Sequence, residues 1–301
     1  MSILLFINLK GGVAKTTNAV ATAECLAEAG HRVLLIDADH QCMAGELVLG
    51  GSRMRECDHR KKTLHVLLAS MLDDEFDINQ VAYYAVPNVS NIDGGLPTLS
   101  VIPCSVRIDD FQTNMAKAKR GYNSNDEFIA MLRKRRRALQ SYLNREYDFT
   151  IVDCPPSVAV QVQFLLTVAD AFIVPCIPDQ LSVRGSTYLL DRIRRANLKV
   201  QGLGTLWSLY RQQNSMHRDV IEAVSAGNGD LAANLPRPFE TIIPNATAIA
   251  RATESDREYA SFQAKYTPEF AKMYRGLCEE IVQRVGWVDA RKYATVQRVS
   301  V

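Results

Sequence analysis

The sequence lacks paired cysteines: none of its seven cysteines forms a C-x-x-C motif with another, and their number is odd. This argues against a disulfide framework and a zinc ribbon, and it predicts reduced thiols. Long apolar runs are also missing, because no window reaches the roughly 18 uninterrupted apolar residues of a membrane span. The longest candidate, residues 164–178, is interrupted by Asp170 and Pro175. The N-terminal apolar run is short and has no basic leader, so we expect no signal peptide.

A strong charge of one sign is absent as well. The 35 basic and 33 acidic side chains leave a formal net charge of +2. With 47% hydrophobic and 23% charged residues, the composition is that of a soluble globular protein. The net charge alone favours no particular partner, although local clusters can still form a binding face because net charge averages over all faces.

Short apolar runs alternate with amphipathic stretches along the chain. The apolar run at residues 33–36, for example, follows an amphipathic stretch at 15–29 that ends at Gly30. Apolar runs flanked by helices indicate a mostly parallel sheet covered on both faces, and therefore a doubly wound α/β fold. Strands are predicted at residues 3–8, 33–36, 99–103, 149–152, 171–175 and 203–209.

The rest of the chain offers no linker long enough to separate two domains. We therefore predict one domain over residues 1–288 and a C-terminal tail over 289–301, which has no clear period. Residues 50–62 and 117–125 are polar and contain glycine, so both are predicted to be loops.

A glycine-rich octad connects the first predicted strand to the first predicted helix. Backbone N–H groups at a helix N-terminus point at an anion, and the helix dipole favours negative charge there. Gly11 and Gly12 allow the backbone to approach phosphate oxygens. Lys15 would contact the β- and γ-phosphates, and the Thr16 hydroxyl would bind Mg²⁺. The octad consists of Lys10, Gly11, Gly12, Val13, Ala14, Lys15, Thr16 and Thr17.

The octad departs from the ordinary phosphate-binding loop, G-x-x-x-x-G-K-[ST]. Leu9 and Ala14 occupy its two glycine positions, and an extra lysine stands at position 10. The strand–loop–helix setting is nevertheless the one in which such a loop binds phosphate. The sequence therefore predicts a P-loop nucleotide site with a modified motif.

Two further apolar runs end in aspartate. Residues 33–36 lead into Asp37 and Asp39, and residues 149–152 lead into Asp153. Ligands in open α/β sheets bind at the carboxyl edge of the strands. An apolar strand that ends in aspartate is the Walker B pattern, so we expect Asp153 to hold Mg²⁺ through water.

Together these segments resemble the ParA/MinD family of deviant Walker ATPases, most closely the ParA-type partition ATPases. The resemblance runs over most of the chain. It is carried by the octad, by LLIDAD at residues 34–39 and by TIVDCPPS at 150–157. Weaker similarity lies at residues 101–104, 172–175, 204–210 and 242–245, with Ala252 downstream.

The resemblance implies catalytic roles for three residues. Lys10 matches the signature lysine of the family, which reaches across a dimer to the partner's nucleotide. Lys15 matches the in-chain phosphate ligand, and Asp39 matches the acid that positions the attacking water. His40 stands where the family usually has proline, and together with Ala14 this departure puts the hydrolysis rate in question more than ATP binding.

The resemblance also implies metal and base ligands. Thr16 and Asp153 match Mg²⁺ ligands, and Asp37 lies near the metal in that arrangement. Pro244 and Asn245 match a loop that touches the adenine.

The function implied is that of a switch with ATP and Mg²⁺ as cofactors. ATP would favour a homodimer, because Lys10 is stabilised when the partner's site holds an anion. The dimer would bind DNA without sequence specificity, and a ParB-like protein or cargo adaptor would stimulate hydrolysis. The protein would then serve DNA segregation or cargo positioning in the cytoplasm, on the nucleoid.

Basic clusters provide the candidates for DNA contact. A run of five at residues 133–137 lies on a predicted helix over 126–144, whose apolar stripe Arg135 shares. We therefore expect Arg135 to need a carboxylate or a route to solvent. The favoured interpretation of this run is a solvated helix face, with a nucleic-acid-contacting patch as the alternative. The residues we expect to contact DNA are Arg184, Arg192, Arg194, Arg195 and Arg218, with Arg211 a further candidate.

Two alternatives remain open. One is a nucleotide-gated scaffold with negligible turnover, for which Ala14 and His40 leave room. The other is a MinD-like positioning ATPase on a membrane surface. The β-branched residues in the last 16 positions predict a poor amphipathic helix there, which argues against membrane binding.

Overall fold

Seven strands form one sheet in the computed structural model, which describes residues 1–227, 235–254 and 257–299. The strand order is β3-β4-β2-β5-β1-β6-β7. Every neighbouring pair is parallel except β3 and β4. This confirms the doubly wound α/β prediction. The strands are β1 (Ser2–Phe6), β2 (Val33–Asp37), β3 (Val86–Val89), β4 (Leu96–Ile102), β5 (Phe149–Asp153), β6 (Ala171–Cys176) and β7 (Gln201–Trp207).

Helices cover both faces of the sheet. One face packs against α1, α2 and α11, and the other against α3, α5, α6, α7 and α8. The central strands β1, β2 and β5 are buried throughout, which explains why they read as continuous apolar runs. The helices are α1 (Lys15–Glu28), α2 (Met43–His59), α3 (Leu64–Ser70), α4 (Val81–Tyr84), α5 (Phe111–Lys119), α6 (Asn125–Glu146), α7 (Val160–Leu166), α8 (Gln180–Arg195), α9 (Ser215–Ser225), α10 (Thr247–Arg251) and α11 (Phe262–Val299).

A buried polar network joins α1 to α11. The carboxylate of Glu24 accepts hydrogen bonds from Lys265 Nζ (2.7 Å), Ser90 Oγ (2.6 Å) and Tyr266 Oη (2.8 Å). Lys265 also donates to Asn91 Oδ1 at 2.7 Å. The side chains of Glu24 and Lys265 are 0% and 1% exposed. The network therefore ties the helix that follows the phosphate loop to the C-terminal helix.

Both edges of the sheet end in irregular backbone. At one edge β3 contains Pro87, and its register with β4 shifts after that residue, where Asn88 has φ 53°. At the other edge β7 is flanked by isolated bridges from Pro238 to Thr205 and from Pro244 to Tyr210.

Two predicted loops are helical in part. Residues 50–62 fall largely within α2, which bends at Gly50 (φ 72°, ψ 159°) instead of ending there. The loop prediction for this segment is wrong, because the glycine permits a kink and the helix resumes beyond it. Of residues 117–125, the first three complete α5.

The C-terminal helix continues further than the sequence predicts. Its backbone is helical through Val299, with a kink at Thr267, so the prediction of a poorly helical C-terminus is wrong. Residues 300 and 301 of the predicted tail lie outside the described residues. No helix in the described part of the chain has the length and apolarity to cross a membrane.

Candidate nucleotide site

The octad lies between β1 and α1, at the carboxyl edge of the sheet. β1 is flanked by β5 and β6, so the loop emerges between the ends of two parallel neighbours. Gly12 has φ 70°, and Ala14 has φ 60° and ψ 34°. Both torsions are left-handed, which explains why glycine suits these positions. The backbone thus turns sharply before the free N–H groups of α1.

The side chain of Lys15 folds back into the loop that precedes it. Its Nζ donates to the carbonyl oxygen of Lys10 at 3.0 Å, and the residue is 7% exposed. Burial lowers the pKa of the Lys15 ammonium, although the nearby carboxylates of Asp153 and Asp39 raise it in part. A buried cation with a single carbonyl contact at the mouth of a loop of N–H donors is arranged to receive an anion.

Thr16 and Asp153 meet at the bottom of the loop. The Thr16 hydroxyl donates to Asp153 Oδ2 at 2.7 Å, whereas Asp153 Oδ1 is buried and has no hydrogen-bond partner in the described part of the chain. Burial, followed by the charge of Asp37, raises the pKa of Asp153 well above its usual range. A divalent cation beside this carboxylate would oppose that effect. The open oxygen and the adjacent hydroxyl therefore fit Mg²⁺.

Asp37 and Asp39 occupy the end of β2, with Asp37 opposite Asp153 in the sheet register. Asp37 Oδ1 accepts from Asp39 N (3.1 Å) and its Oδ2 accepts from Gly45 N (2.8 Å), so this carboxylate shapes the loop. Burial raises the pKa of Asp37 to about 7. Among the described residues no three acidic, thiol or imidazole groups converge to hold a metal ion by themselves. Mg²⁺ would therefore draw other ligands from phosphate and water.

Lys10 extends out of the loop. Its Nζ lies 3.1 Å and 3.3 Å from the two oxygens of Asp179, the residue that caps the N-terminus of α8. Its backbone N–H donates to Asn8 Oδ1 at 3.1 Å. The side chain of Lys10 is one-third exposed. The two lysines of the octad thus point in different directions, one into the loop and one toward α8.

A cavity of about 360 Å³ opens above the loop. Larger cavities lie elsewhere, but this one contains the loop of N–H donors and the buried Lys15, so it is the candidate site. The sequence did not identify the walls that more distant segments supply, such as Thr253. The described lining residues are Gly11, Gly12, Ala14, Lys15, Thr16, Thr17, Asp39, Gln41, Met43, Leu47, Pro156 and Thr253.

Pro244 and Asn245, the predicted adenine loop, lie beside the end of β7. Asn245 N donates to Tyr210 O at 2.8 Å. With its amide oxygen facing Arg211, Asn245 accepts from Arg211 Nε (2.9 Å) and Nη2 (3.0 Å). The guanidinium of Arg211 is therefore engaged, which makes it a weaker candidate for DNA contact. The adenine role of this loop stays a prediction.

The five predicted DNA-contacting arginines are all exposed, but they do not form one patch. Arg184 lies near the N-terminal end of α8, on the nucleotide side, whereas Arg192, Arg194 and Arg195 form its last turn. A helix of 16 residues is about 24 Å long, so its two ends lie at opposite edges of the sheet. Arg218 lies on α9.

The guanidinium of Arg135 has hydrogen-bond partners that the sequence did not predict. Its guanidinium donates to the backbone carbonyl oxygens of Phe76 (2.8 Å), Asp73 (2.8 Å) and Asp74 (3.1 Å). Of the two predicted alternatives, a carboxylate partner or a route to solvent, the carboxylate is not the partner, because three backbone carbonyls of one turn accept from the guanidinium of this half-buried residue. The neighbouring Arg133, Lys134 and Arg137 are exposed, as expected from their position on the helix.

The left-handed Ala14 predicts a measurable gain from glycine. Ala14→Gly should raise the free energy of unfolding by roughly 0.5–1 kcal/mol, because a Cβ is disfavoured at φ 60°. Denaturant unfolding measures this. The matched control is Ala116→Gly in α5, which should lower stability by about 1 kcal/mol because that position is helical. Equal losses in the two variants would contradict strain at Ala14.

Comparisons with known proteins find a matching family and relatives over most of the chain. The family model described as "AAA domain" matches residues 1–202. The chain is 29% identical to the chromosome partitioning protein ParA of Caulobacter vibrioides over 291 residues, covering 94% of this chain and 95% of that protein.

Two solved structures share the fold. A putative plasmid partition protein of Borrelia burgdorferi bound to AMPPNP has a TM-score of 0.65 and 18% identity, covering 94% of this chain and 99% of that one. A cobyrinic acid a,c-diamide synthase of Mycobacterium smegmatis with bound ADP and magnesium has a TM-score of 0.66 and 24% identity, covering 95% and 96%.

Proposed function

The chain belongs to the AAA domain family and, within it, to the ParA/MinD group of deviant Walker ATPases, and on this basis we propose that it is a ParA-like ATPase for DNA segregation or cargo positioning. It uses ATP and Mg²⁺, forms a homodimer in the ATP state and binds DNA without sequence preference. A ParB-like protein or cargo adaptor stimulates hydrolysis. It acts in the cytoplasm, on the nucleoid.

The direction of the Lys10 side chain carries this proposal. A lysine that served its own loop would point into the cavity beside Lys15, but Lys10 instead ion-pairs with Asp179 at 3.1 Å. One-third of its side chain is exposed, so a second copy of the chain can reach it. A lysine in this position supports a role at the partner's nucleotide.

The loop binds the phosphates through its own groups. Backbone N–H groups from Gly11 to Thr16 and the Lys15 ammonium hold the β- and γ-phosphates. Thr16 and Asp153 would hold Mg²⁺, which would supply positive charge to neutralise the phosphate oxygens. Lys15, whose ammonium now donates to the Lys10 carbonyl, would gain an anionic partner.

Asp39 lines the cavity and orients the attacking water. The water oxygen forms a bond to the γ-phosphorus while the bond from that phosphorus to the β–γ bridging oxygen breaks, and the water proton passes to the Asp39 carboxylate or to phosphate. ADP and inorganic phosphate leave. His40 Nδ1 lies 3.6 Å from Asp39 Oδ1, so this histidine borders the carboxylate that would orient the water.

Asp39→Asn tests the catalytic assignment. The amide keeps an oxygen that can accept from Gln41 N, now at 3.0 Å, but it cannot take a proton. We expect steady-state ATP turnover to fall by about 100-fold or more, while light scattering still detects an ATP-dependent dimer. Wild-type turnover in this variant would remove Asp39 from the mechanism.

Lys10→Ala tests the role of Lys10 in the dimer separately from ATP binding. ATP affinity by calorimetry should stay within a few-fold of wild type, and the dimer should be lost. Lys119→Ala, an exposed lysine on α5, is the matched control and should retain the dimer. If the wild type dimerises with ATP but turns over negligibly even with DNA and a partner protein, a nucleotide-gated scaffold replaces the ATPase proposal.

A further inference from the structure

A second cavity lies at the edge of the sheet opposite the nucleotide site, between the basic run at residues 133–137 and the segment that follows the arginine cluster Arg192, Arg194 and Arg195. This cavity has a volume of about 330 Å³. Arg136 and Gln140 of α6 form one wall, and Lys199, just beyond α8, forms another. The turn after α7, residues 166–170, completes it. Arg136 and Lys199, which are about 60 residues apart in sequence, therefore line one opening, and the arginines of the last turn of α8 lie a few residues before Lys199 in the chain.

The surroundings of this cavity are strongly basic. Segments 133–140, 166–170 and 191–199 carry eight basic side chains, leaving aside Arg135, which is bonded to carbonyls. The same segments carry two carboxylates, Asp170 and Asp191. Asp170 accepts from Ile3 N at 2.9 Å and from Gln140 Nε2 at 3.5 Å, and Asp191 lies 3.5 Å from Arg194. The excess of positive charge is local, because the whole chain has a net charge of only +2.

Arg136 lies half-buried in this wall and forms no ion pair with a carboxylate among the described residues. In the described part of the chain its guanidinium donates to the Leu132 carbonyl at 3.3 Å. Burial lowers the pKa of Arg136, and the charge of Arg133 lowers it further. Two neighbouring cations, one of them partly desolvated, raise the free energy of the surface, and an anion in the cavity would lower it.

We propose that this cavity and its two flanking clusters form the docking surface for the backbone phosphates of duplex DNA, with one phosphate held between Arg136 and Lys199. The proposal rests on the DNA binding proposed above and gives it a location. The surface is centred on α6 and the last turn of α8, and it excludes Arg184 at the other end of that helix.

The side chains around the cavity favour duplex DNA over other anions. The three segments contain no aromatic residue, so there is no platform on which single-stranded bases could stack. They also contain none of the exposed large apolar side chains that would insert into a membrane surface. The excess of arginine and lysine in these segments instead suits a polymer whose backbone carries a regular series of phosphate charges.

The test is the double variant Arg136→Gln with Lys199→Gln. Fluorescence anisotropy measures the affinity for a random duplex across a salt series, with a non-hydrolysable ATP analogue and with ADP. Each lost phosphate contact should reduce the slope of log K against log salt by about 0.9. We expect the ATP-state affinity to fall at least about tenfold, with basal ATP turnover unchanged.

The control is Arg107→Gln with Lys119→Gln, which removes two exposed charges elsewhere. An unchanged slope in the cavity variant, or an equal loss in the control, overturns the proposal. So does selective loss in Arg184→Gln or Arg218→Gln alone. The proposal is also overturned if the wild-type cavity binds inorganic phosphate but the double cavity variant keeps the wild-type affinity for duplex DNA. If the wild type binds no duplex in either state, this inference fails, whereas the dimerisation and turnover assays above decide the ATPase proposal independently.

Discussion

Lys15→Met is expected to remove ATP binding at ordinary nucleotide concentrations. The substitution keeps the aliphatic stem of Lys15 but removes the charge that faces the β- and γ-phosphates. Truncating one partner of a buried charge pair costs about 2–5 kcal/mol, which corresponds to roughly 30- to 4,000-fold in Kd. Calorimetric titration with ATP measures the loss. Unchanged affinity would mean that the phosphates bind elsewhere.

The free protein should tolerate this substitution. Lys15 is 7% exposed and its pKa is lowered by burial, so its charge is already costly before the nucleotide arrives. Met fills the same volume at less desolvation cost, although Asp153 loses a nearby cation. Thermal unfolding without nucleotide should therefore change little. The matched control, Lys119→Met on exposed α5, should leave both affinity and stability unchanged.

Lys265→Met is expected to cause the largest loss of stability. Among the described residues, it leaves the fully buried Glu24 carboxylate with the hydroxyls of Ser90 and Tyr266 as its remaining side-chain donors. Removing one partner of a buried ion pair costs about 3–5 kcal/mol, a large part of the 5–15 kcal/mol that stabilises a typical domain. Denaturant unfolding measures the change.

The double variant Glu24→Gln with Lys265→Met separates the charge from the packing. Neither residue then carries a buried charge, so the loss should be clearly smaller than in Lys265→Met alone. Arg275→Met provides the control, because Arg275 pairs with Glu28 across the same two helices but is 44% exposed. We expect it to cost less than about 1 kcal/mol. Equal costs for Lys265→Met and Arg275→Met would mean that burial of the pair does not matter.

The placement of the candidate nucleotide-site residues at one edge of the sheet was largely predictable from the sequence, because most of them lie in three short motifs. One octad supplies the loop, Lys15 and Thr16, and the apolar runs before Asp37 and Asp153 mark buried parallel strands. Parallel strands bring their carboxyl ends to a single edge, so separate motifs can be placed together without coordinates. The resemblance to the ParA/MinD family supplied the predicted roles of these residues, and the family assignment itself is confirmed by the family match.

Features that depend on distant contacts were not predictable. Asp179 approaches Lys10 across 169 residues of sequence, and Thr253 reaches the cavity from near the C-terminus. Strand β3 was missed because Pro87 and Asn88 break the usual strand pattern. Gly50 suggested a loop, although the helix α2 merely bends there. In each case contacts between segments that are distant in the sequence selected one of several local conformations that the local sequence allows.

The irregular edges of the sheet determine how this protein can assemble with itself. An open strand edge invites pairing with another chain, which leads to strand exchange or fibres. Here Pro87 removes a donor from β3, and the segment that holds Pro238 and Pro244 lies along β7. Main-chain pairing between copies is therefore disfavoured at both edges. The proposed homodimer would then rely on side-chain contacts, which the charge of a bound nucleotide can strengthen or weaken.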